Sequence, residues 1–290
     1  MQPYAPSVPL LLQLGESTYD LTHRALVMGI LNRTRDSFFS PAATYDLDDF
    51  YRRADQLVSD GADILDVGGV KAGPGDDVSE SEELDRVVPV IAELRKRFDV
   101  PLSIDTWRAS VAQACFLVGA QIGNDISGFA DELYLAVAAN AGAAVVATHI
   151  RLRPRVADPS PHYDNVTATV ATFLKDRRQR ALDAGLSHAQ IIIDAGLDLG
   201  KTSGQSLQLL RDSSVLAAMG SPLLLSASNK TFLGTLFSLE VTDRREASLA
   251  AAALGVTGGC RILRVHDVRG TVRVRDVLLR LSEARTSVHS

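Results

Sequence analysis

The chain has 290 residues, of which 46% are hydrophobic and 22% are charged, and its formal net charge is −5. This length suits one (β/α) barrel domain of about 250 residues, and the acidic balance argues against a general nucleic-acid-binding surface. Because the chain has two cysteines, no basic and apolar leader and no apolar run of about 18 residues, we expect a cytoplasmic protein without disulfides or membrane spans.

Short apolar runs alternate with helical segments along almost the whole chain. Residues 1–24 are predicted to form a Pro-containing arm with a small hairpin that covers one barrel end. Eight apolar runs are then predicted as strands, at 25–31, 62–67, 101–105, 121–126, 143–151, 190–194, 222–228 and 260–267. Helices are predicted near residues 47–61, 81–98, 108–120, 130–141, 166–184, 205–219, 244–255 and 272–284.

Eight strand–helix units imply a parallel sheet with right-handed crossovers. Such a sheet closes most simply into a single (β/α)8 TIM barrel over residues 25–290, and a doubly wound open sheet is the alternative. In either architecture the carboxyl ends of the strands face the ligand. The polar residues at or just after these ends are Asn32, Asp66, Asp105, Asn124, His149, Arg151, Asp194, Lys201, Lys230, Arg264 and His266.

Part of this set indicates a flat polar heterocycle as the ligand. A carboxylate such as Asp105 or Asp194 accepts two parallel N–H bonds in a fork, which suits a guanidine-like pyrimidine edge. An amide such as Asn124 donates and accepts, a lysine donates charge-assisted bonds, and an arginine stacks on an aromatic face. The residues assigned to this chemistry are Asp105, Asn124, Asp194, Lys201, Lys230, Arg264 and His266.

Some strand-end residues have a second candidate role, which is to bind an anion. Arg264 and His266, with Asn32 from the first strand, are candidates for holding an anion such as phosphate, and no metal-binding triad is apparent. Each residue also has a structural interpretation, because a strand-end Asp often caps the next helix and a histidine such as His149 is often a hydrogen-bonded core residue. The number of such residues at one barrel end favours the functional interpretation.

Seven motifs occur in order along nearly the whole chain. They are Met28-Gly-Ile-Leu-Asn-Arg-Thr-Arg-Asp-Ser-Phe38, Ala62-Asp-Ile-Leu-Asp-Val-Gly-Gly69, Ser103-Ile-Asp-Thr106, Asn124-Asp-Ile126, Asp194-Ala-Gly-Leu-Asp-Leu-Gly-Lys-Thr202, Ser228-Asn-Lys-Thr-Phe-Leu-Gly234 and Arg264-Val-His-Asp-Val268. Together they resemble dihydropteroate synthase, the pterin-binding barrel enzyme of folate synthesis. That family condenses hydroxymethyl-dihydropterin diphosphate with p-aminobenzoate, releases pyrophosphate and is helped by Mg²⁺.

The resemblance implies a role for each matching residue. The implied pterin contacts are Asp105, Asn124, Asp194, Lys230 and Arg264. Arg264 would also bind the anion, Asn32 and His266 would lie on the diphosphate side, and Asn32 would be the Mg²⁺ ligand. The resemblance further implies a homodimer through the outer helices, with p-aminobenzoate or sulfonamide- and sulfone-like molecules as ligands.

Two loops depart from the family pattern. Where the family has Glu-Ser-Thr-Arg-Pro-Gly after the second strand, this chain has Val70-Lys-Ala-Gly-Pro-Gly75, so Ala72 and Gly73 replace the Thr and Arg. Loss of one preorganised donor costs roughly 10²–10³ in rate. In the first loop, Pro41 and Ala42 replace a Gly-Gly hinge. The other departures are Thr148 for Met, Ala195 for Pro, Leu199 for Phe and Asn229 for Arg.

The leading interpretation is a dihydropteroate synthase paralogue that keeps the pterin pocket but is inactive or strongly impaired, with no catalytic residue identified as intact. A working synthase is the first alternative, in which Arg35, Lys71 or Arg153 replaces the lost groups. A folate-linked methyltransferase is a second, although the chain contains no cobalamin module. A non-enzymatic pterin-binding or regulatory subunit is a third, and a purely structural role remains open.

Overall fold

Eight parallel strands close into a barrel in a computed structural model, which describes residues 4, 6, 8–33, 45–73 and 75–287. Each strand pairs with the next along the chain, and the last strand pairs with the first. The strands are β3 (Leu26–Asn32), β4 (Ile64–Gly68), β5 (Leu102–Asp105), β6 (Ile122–Asp125), β7 (Ala144–Thr148), β8 (Ile191–Asp194), β9 (Leu223–Leu225) and β10 (Cys260–Val265). The predicted TIM barrel is therefore confirmed.

Helices follow the strands and surround the barrel. They are α1 (Tyr45–Ser59), α2 (Glu80–Arg97), α3 (Ala109–Leu117), α4 (Tyr134–Asn140), α5 (Val166–Asp183), α6 (Ser203–Arg211), α7 (Ser213–Ala217), α8 (Thr231–Phe237), α9 (Arg245–Thr257) and α10 (Val268–Ser287). Among the helices in the described part of the chain, none combines the length and the apolar character needed to cross a membrane.

The structure corrects the predicted elements in three places. The helix predicted at 205–219 is two helices, which meet at Asp212, a residue held by Thr167 Oγ1 at 2.8 Å. The strand predicted at 222–228 is only Leu223–Leu225, because the chain then turns to start α8. The sequence analysis missed α8 altogether, since seven residues are too few to display helical periodicity.

A hairpin closes the amino-terminal end of the barrel, as the sequence predicted. Its strands β1 (Leu11–Leu14) and β2 (Ser17–Asp20) pair antiparallel. Leu12 and Leu14 alternate with exposed residues and are fully buried. They join side chains from the first halves of the barrel strands, such as Ile64 and Ile122, in a separate apolar cluster. Apolar side chains thus fill the amino-terminal end of the barrel interior, and the polar residues lie at the carboxyl end of the strands.

The parallel register places several of these polar residues side by side. Asp105 on β5 pairs with Asn124 on β6, and Thr148 on β7 pairs with Asp194 on β8. A larger apolar cluster between the strands and the helices holds these strands in place, with fully buried Leu65, Leu57 and similar side chains at its centre. The strand ends therefore form a rigid platform for a site.

Candidate functional site

Arg264 and three neighbouring polar residues link four strands at the carboxyl end of the barrel. Its Nε donates to Asp66 Oδ2 at 2.6 Å, and its Nη2 donates to Asp105 Oδ2 at 2.7 Å. Asn124 Nδ2 donates to both oxygens of Asp66 at 3.3 Å. These four residues, called the Arg264 network below, fix the guanidinium plane and leave Asn124 Oδ1 as an acceptor.

Asp66 is the member of this network that the sequence analysis left out of the site. It was placed at a strand end, but the binding role was given to Asp105, Asn124 and Arg264. In the structure Asp66 is completely buried and contacts both Arg264 and Asn124. Its position at the strand end was the available signal. We infer that Asp66 orients its two neighbours.

Two members of the Arg264 network, Asp105 and Arg264, have shifted pKa values. Burial raises the pKa of Asp105, the guanidinium of Arg264 lowers it and the charge of Asp66 raises it, and the net pKa is about 7. Burial acts to lower the pKa of Arg264, but Asp66 and Asp105 together hold it above its ordinary value. Arg264 therefore stays charged, while Asp105 exchanges a proton near neutral pH and can both accept and donate.

Asp194 and Lys230 form a second pair of candidate ligand contacts, at the ends of β8 and β9. Asp194 is 6% exposed, and its Oδ1 accepts from the Gly196 N–H at 2.8 Å. Within the described ranges, its Oδ2 accepts no hydrogen bond. Lys230 Nζ donates to the Leu197 carbonyl at 3.1 Å. Burial raises the pKa of Asp194 and lowers that of Lys230, and each charge opposes the shift of the other.

Asp198 is a further residue that the sequence analysis did not identify. It adopts a left-handed conformation with φ of 66°, which Asp tolerates better than most residues. Its Oδ2 accepts from the Phe232 N–H at 3.2 Å, and its own N–H donates to Ser206 Oγ at 3.1 Å. Asp198 therefore satisfies a donor at the start of α8, two residues after Lys230, and fixes that helix to the loop after β8.

Lys201 does not belong to the ligand-binding set, contrary to the sequence prediction. Its Nζ donates to the Gly196 carbonyl at 2.7 Å and the Leu199 carbonyl at 3.1 Å, and it contacts His149 Nδ1 at 2.9 Å. Burial lowers the pKa of Lys201 to about 7 and that of His149 to about 3. Both residues therefore close the loop after β8, because a buried loop must satisfy its carbonyls.

His266 lies just after β10 and beside Ser228. Its backbone N–H donates to Ser228 Oγ at 3.2 Å, and its ring Nδ1 lies 3.1 Å from the same hydroxyl. In the tautomer in which this hydroxyl donates to Nδ1, Nε2 carries the ring proton. Burial, together with Arg264 and Arg53, lowers the pKa of His266 to about 4, so the ring is neutral near pH 7. In that tautomer the Nε2–H is a donor for an anion.

Asn32 lies beside the Arg264 network at the end of β3. A Cβ placed on Gly68 would lie 3.5 Å from Asn32 Oδ1 and 3.6 Å from Asp105 Oδ2, so these oxygens flank the same glycine. No group of three His, Cys, Asp or Glu side chains with metal-binding geometry occurs in the described residues. Asn32 Oδ1 is an oxygen donor of the kind that Mg²⁺ takes beside water or phosphate ligands.

The altered loops are only partly described. Ala72 and Gly73 lie opposite the loop after β7, and a Cβ on Gly73 would meet nothing within 4 Å. The substituted part of the first loop, with Arg35, Pro41 and Ala42, lies outside the described residues. Asn229 has φ of 58°, and its N–H donates to Ser248 Oγ at 3.0 Å.

Comparison with known families agrees with this arrangement. A profile of the family described as pterin binding enzyme matches residues 28–266. The chain belongs to this family. Within the pterin-binding enzymes it is a dihydropteroate synthase homologue, as the seven motifs predicted.

Similar proteins in this family carry two different descriptions. The inactive dihydropteroate synthase 2 of Mycobacterium tuberculosis (strain ATCC 25618 / H37Rv) is 38% identical over 90% of this chain and 84% of its own length. The dihydropteroate synthase of Bacillus subtilis (strain 168) is 37% identical over 90% of both chains. The structure of Yersinia pestis dihydropteroate synthase with a pterine-sulfa conjugate has a TM-score of 0.84 and 34% identity over 94% of this chain and 99% of that one.

Proposed function

We propose that this pterin-binding enzyme homologue binds a reduced pterin at the carboxyl end of the barrel but is inactive or strongly impaired in condensing hydroxymethyl-dihydropterin diphosphate with p-aminobenzoate. One contrast carries the proposal. The Arg264 network is fully assembled by hydrogen bonds, whereas Ala72 and Gly73 give the loop after β4 no side-chain donor. Binding and chemistry therefore depend on different parts of the site.

The pterin contacts follow from the atoms that have bonding capacity left. Asp194 is 6% exposed and its Oδ2 is left to accept from a ring N–H, and Lys230 has two ammonium protons beyond the one given to Leu197. Asn124 Oδ1 accepts a further N–H, because its amide nitrogen is used by Asp66. A hydrogen bond is electrostatically stronger in this low-dielectric setting than in water, so a few such contacts fix the ring.

The diphosphate side would use Arg264 and the His266 Nε2–H, with Asn32 as a Mg²⁺ ligand. Mg²⁺, when bound, neutralises phosphate charge. The neutral His266 ring donates one hydrogen bond without adding a charge, and its orientation is fixed by Ser228. Arg264 is the charged group at this end, and its bonds to Asp66 and Asp105 hold it in place.

Impaired chemistry follows from the missing donors around this pocket. Each lost transition-state donor costs roughly 10²–10³ in rate, and positions 72 and 73 supply none. A third position, Asn229, is neutral and is tied to α9, because its carbonyl accepts from Arg244 Nη1 at 3.0 Å. We expect the combined effect on the chemical step to exceed 10³-fold.

The contrast can be tested by measuring pterin binding and turnover separately. In calorimetry with the pterin diphosphate, the wild-type chain should bind. Asp194→Asn should weaken binding about tenfold or more, because a buried charged acceptor is lost. Asp243→Asn, the same change on an exposed turn, is the control and should bind as wild type. Equal affinities for wild type and the Asp194 variant would contradict the assigned pocket.

A gain-of-function variant tests the loop directly. Ala72→Thr combined with Gly73→Arg restores the two donors, and the open space around Gly73 accommodates the new side chain. We expect turnover to rise by at least about tenfold, with pterin affinity nearly unchanged. The matched control is Ala72→Val combined with Gly73→Met, which adds similar bulk without the hydroxyl and the guanidinium. Similar turnover in both double variants would contradict the donor argument.

A working synthase is the second candidate, because the identity to the Bacillus subtilis synthase is 37% and that to the inactive Mycobacterium tuberculosis protein is 38%. Sequence identity therefore favours neither a working synthase nor an inactive paralogue. Expression of the chain in a synthase-deficient strain separates them. Growth without added folate end products would support a working synthase, and failure of growth despite well-expressed folded protein would support the impaired paralogue.

We also propose that the chain forms a homodimer through its outer helices. Phe237, Val241 and Leu254 on or between α8 and α9 are 59%, 57% and 48% exposed, and such apolar side chains are typical of interfaces. Light scattering measures the mass directly. A dimer mass that falls to a monomer mass in Phe237→Ser combined with Leu254→Ser would support this surface, and a wild-type monomer mass would contradict the proposal.

A further inference from the structure

Lys201 is a buried cation whose donors are all used inside the protein. The residue is 7% exposed. Its Nζ donates to the Gly196 carbonyl at 2.7 Å and the Leu199 carbonyl at 3.1 Å, and it lies 3.3 Å from the His149 carbonyl and 2.9 Å from His149 Nδ1. None of these four partners is a carboxylate, and the three ammonium protons are shared among them. Residues 196–199, between the two bound loop carbonyls, are called the clamped segment below.

The His149 ring that faces this ammonium is held in a fixed position. It packs edge-on against the Phe173 ring, with 4.8 Å between the ring centroids, and the Tyr163 ring lies 6.1 Å away. Burial lowers the pKa of His149 to about 3, and the charge of Lys201 adds to this shift, so the ring is neutral near pH 7. Because an ammonium only donates, Nδ1 is the acceptor and Nε2 carries the ring proton.

The clamped segment also contacts Asp194 and Lys230, the two groups assigned to the pterin at the ends of β8 and β9. The Gly196 N–H donates to Asp194 Oδ1 at 2.8 Å, and the Leu197 carbonyl accepts from Lys230 Nζ at 3.1 Å. Lys201 binds the carbonyls at the two ends of this segment. The segment therefore connects the Lys201 ammonium to the orientation of both groups.

The clamped segment lies directly against the residue that follows β7. A Cβ on Gly196 would lie 1.9 Å from the His149 carbonyl oxygen, and Gly196 has φ of 64°, so this close approach requires glycine. The Lys201 ammonium lies between the two chain segments and donates to a carbonyl of each. Without it, the carbonyls of His149 and Leu199 would lose this donor in a buried loop, which is unfavourable. The segment would then shift together with the groups that it orients.

We propose that Lys201 is a positioning residue of the pterin pocket, whose protonated ammonium holds the clamped segment in the conformation that orients Asp194 and Lys230. The inference rests on the proposed function, since these two groups are assigned to the pterin there. Lys201 touches no ligand in this arrangement, because its protons are taken by loop acceptors. Removal of the ammonium should therefore weaken pterin binding through the loop.

Lys201 exchanges its proton near neutral pH. Burial lowers the pKa of Lys201 to about 7, while Asp194 raises it, Lys230 lowers it and Asp198 raises it. The His149 ring that faces the ammonium has a pKa of about 3 and stays neutral over this range. Above about pH 7, Lys201 becomes an amine with two N–H groups and a lone pair, so its partners lose a donor. The positioning role therefore predicts that pterin affinity falls as the pH rises through this value.

The test compares the pH dependence of pterin binding in the wild type and in Lys201→Met. The probe is hydroxymethyl-dihydropterin without its diphosphate, which would itself titrate in this range. Calorimetry on the full chain should give about tenfold weaker binding to Lys201→Met near pH 6, and the difference should shrink to about threefold or less near pH 8.5. Asp105 titrates in the same range in both proteins, so the difference between them is what is compared. Lys175→Met, the same change on the exposed face of α5, should bind as wild type at each pH.

Hydrogen exchange of the wild-type chain is a second measurement, which needs no variant. The N–H groups of Gly196 and Leu199 donate to Asp194 Oδ1 and to the Gly196 carbonyl at 2.8 and 3.1 Å, so their protection reports the conformation of the clamped segment. After correction for the intrinsic effect of pH, this protection should fall at least about threefold between pH 6 and pH 8.5, whereas that of α6 should not. If Lys201→Met fails to fold, a loss of protection supports the proposal and unchanged protection overturns it.

The outcomes separate this inference from the proposed function. If the wild type binds the pterin but shows the same pH dependence as Lys201→Met, the proposed function stands and the positioning role is overturned. If the wild type binds no pterin at any pH, the proposed function fails. In that case a loss of protection above pH 7 would still assign the conformation of the loop to Lys201, and unchanged protection would overturn that assignment as well.

Discussion

Replacement of Arg264 by methionine tests the network on which the pocket depends. The change Arg264→Met removes the donors to Asp66 and Asp105 at 2.6 and 2.7 Å but keeps an unbranched side chain in the core. Removing one partner of a buried ion pair costs about 3–5 kcal/mol. The side chains of Asp66 and Asp105 are 0% and 15% exposed, so we expect a loss of about 3 kcal/mol near pH 8.

The loss should shrink on acidification, because the Asp105 carboxylate then becomes protonated. Burial already raises the pKa of Asp105 to about 7 while Arg264 opposes the shift, so the variant should have an even higher value. Between about pH 7 and this higher value, the folded variant binds more protons than the folded wild type, so the loss shrinks as the pH falls through this window by about 1.4 kcal/mol per pH unit. Below pH 7 Asp105 is protonated in both proteins, and we expect a loss of about 1.5 kcal/mol near pH 5.5.

Urea unfolding at the two pH values measures both free energies. The control is Arg273→Met, which makes the same substitution on the exposed face of α10 and should change stability by less than about 0.5 kcal/mol. A loss for Arg264→Met that is the same at both pH values would refute the proton argument. A loss no larger than that of the control would refute the network itself.

Two further predictions concern stability. Gly123→Ala should cost about 1–3 kcal/mol in urea unfolding, because its Cβ would lie 2.6 Å from Tyr134 Oη; the helical control Gly204→Ala should stabilise by about 0.5–1 kcal/mol, and equal effects would contradict the packing argument. Acidification from about pH 6.5 to pH 4 should destabilise the wild type relative to His149→Gln, because burial lowers the pKa of His149 to about 3 and the unfolded wild type binds a proton there that the folded state does not. The buried carboxyl of Asp105 has the opposite effect in both proteins, so the test is the difference between their pH-dependent thermal unfolding curves, and identical curves would argue against it.

The barrel could be predicted because its signals are local and repeated. Each strand is a short, mostly apolar run with a polar residue at or soon after its end, and the hairpin shows alternating burial at Leu12 and Leu14. The helix α8 could not be found in this way, because its start depends on Asp198, more than thirty residues earlier. A contact that distant leaves no periodic trace in the sequence.

The sequence could predict which residues form the site, but it could not predict which of them contact one another. Strand-end positions identified Asp105, Asn124 and Arg264, and the structure brings them together. The same positions could not reveal that Asp66 holds Arg264 and Asn124, or that the donors of Lys201 are consumed by loop carbonyls. Both outcomes depend on side-chain direction, which a strand-end position does not define.

The central claim is that the chain keeps a pterin pocket without competent chemistry. Its most direct test is turnover of the pterin diphosphate with p-aminobenzoate and Mg²⁺, measured side by side with the Bacillus subtilis synthase on protein shown by calorimetry to bind the pterin. We predict pterin binding with a turnover at least about 10³-fold below that of the Bacillus subtilis enzyme. Turnover comparable with that enzyme would contradict the account.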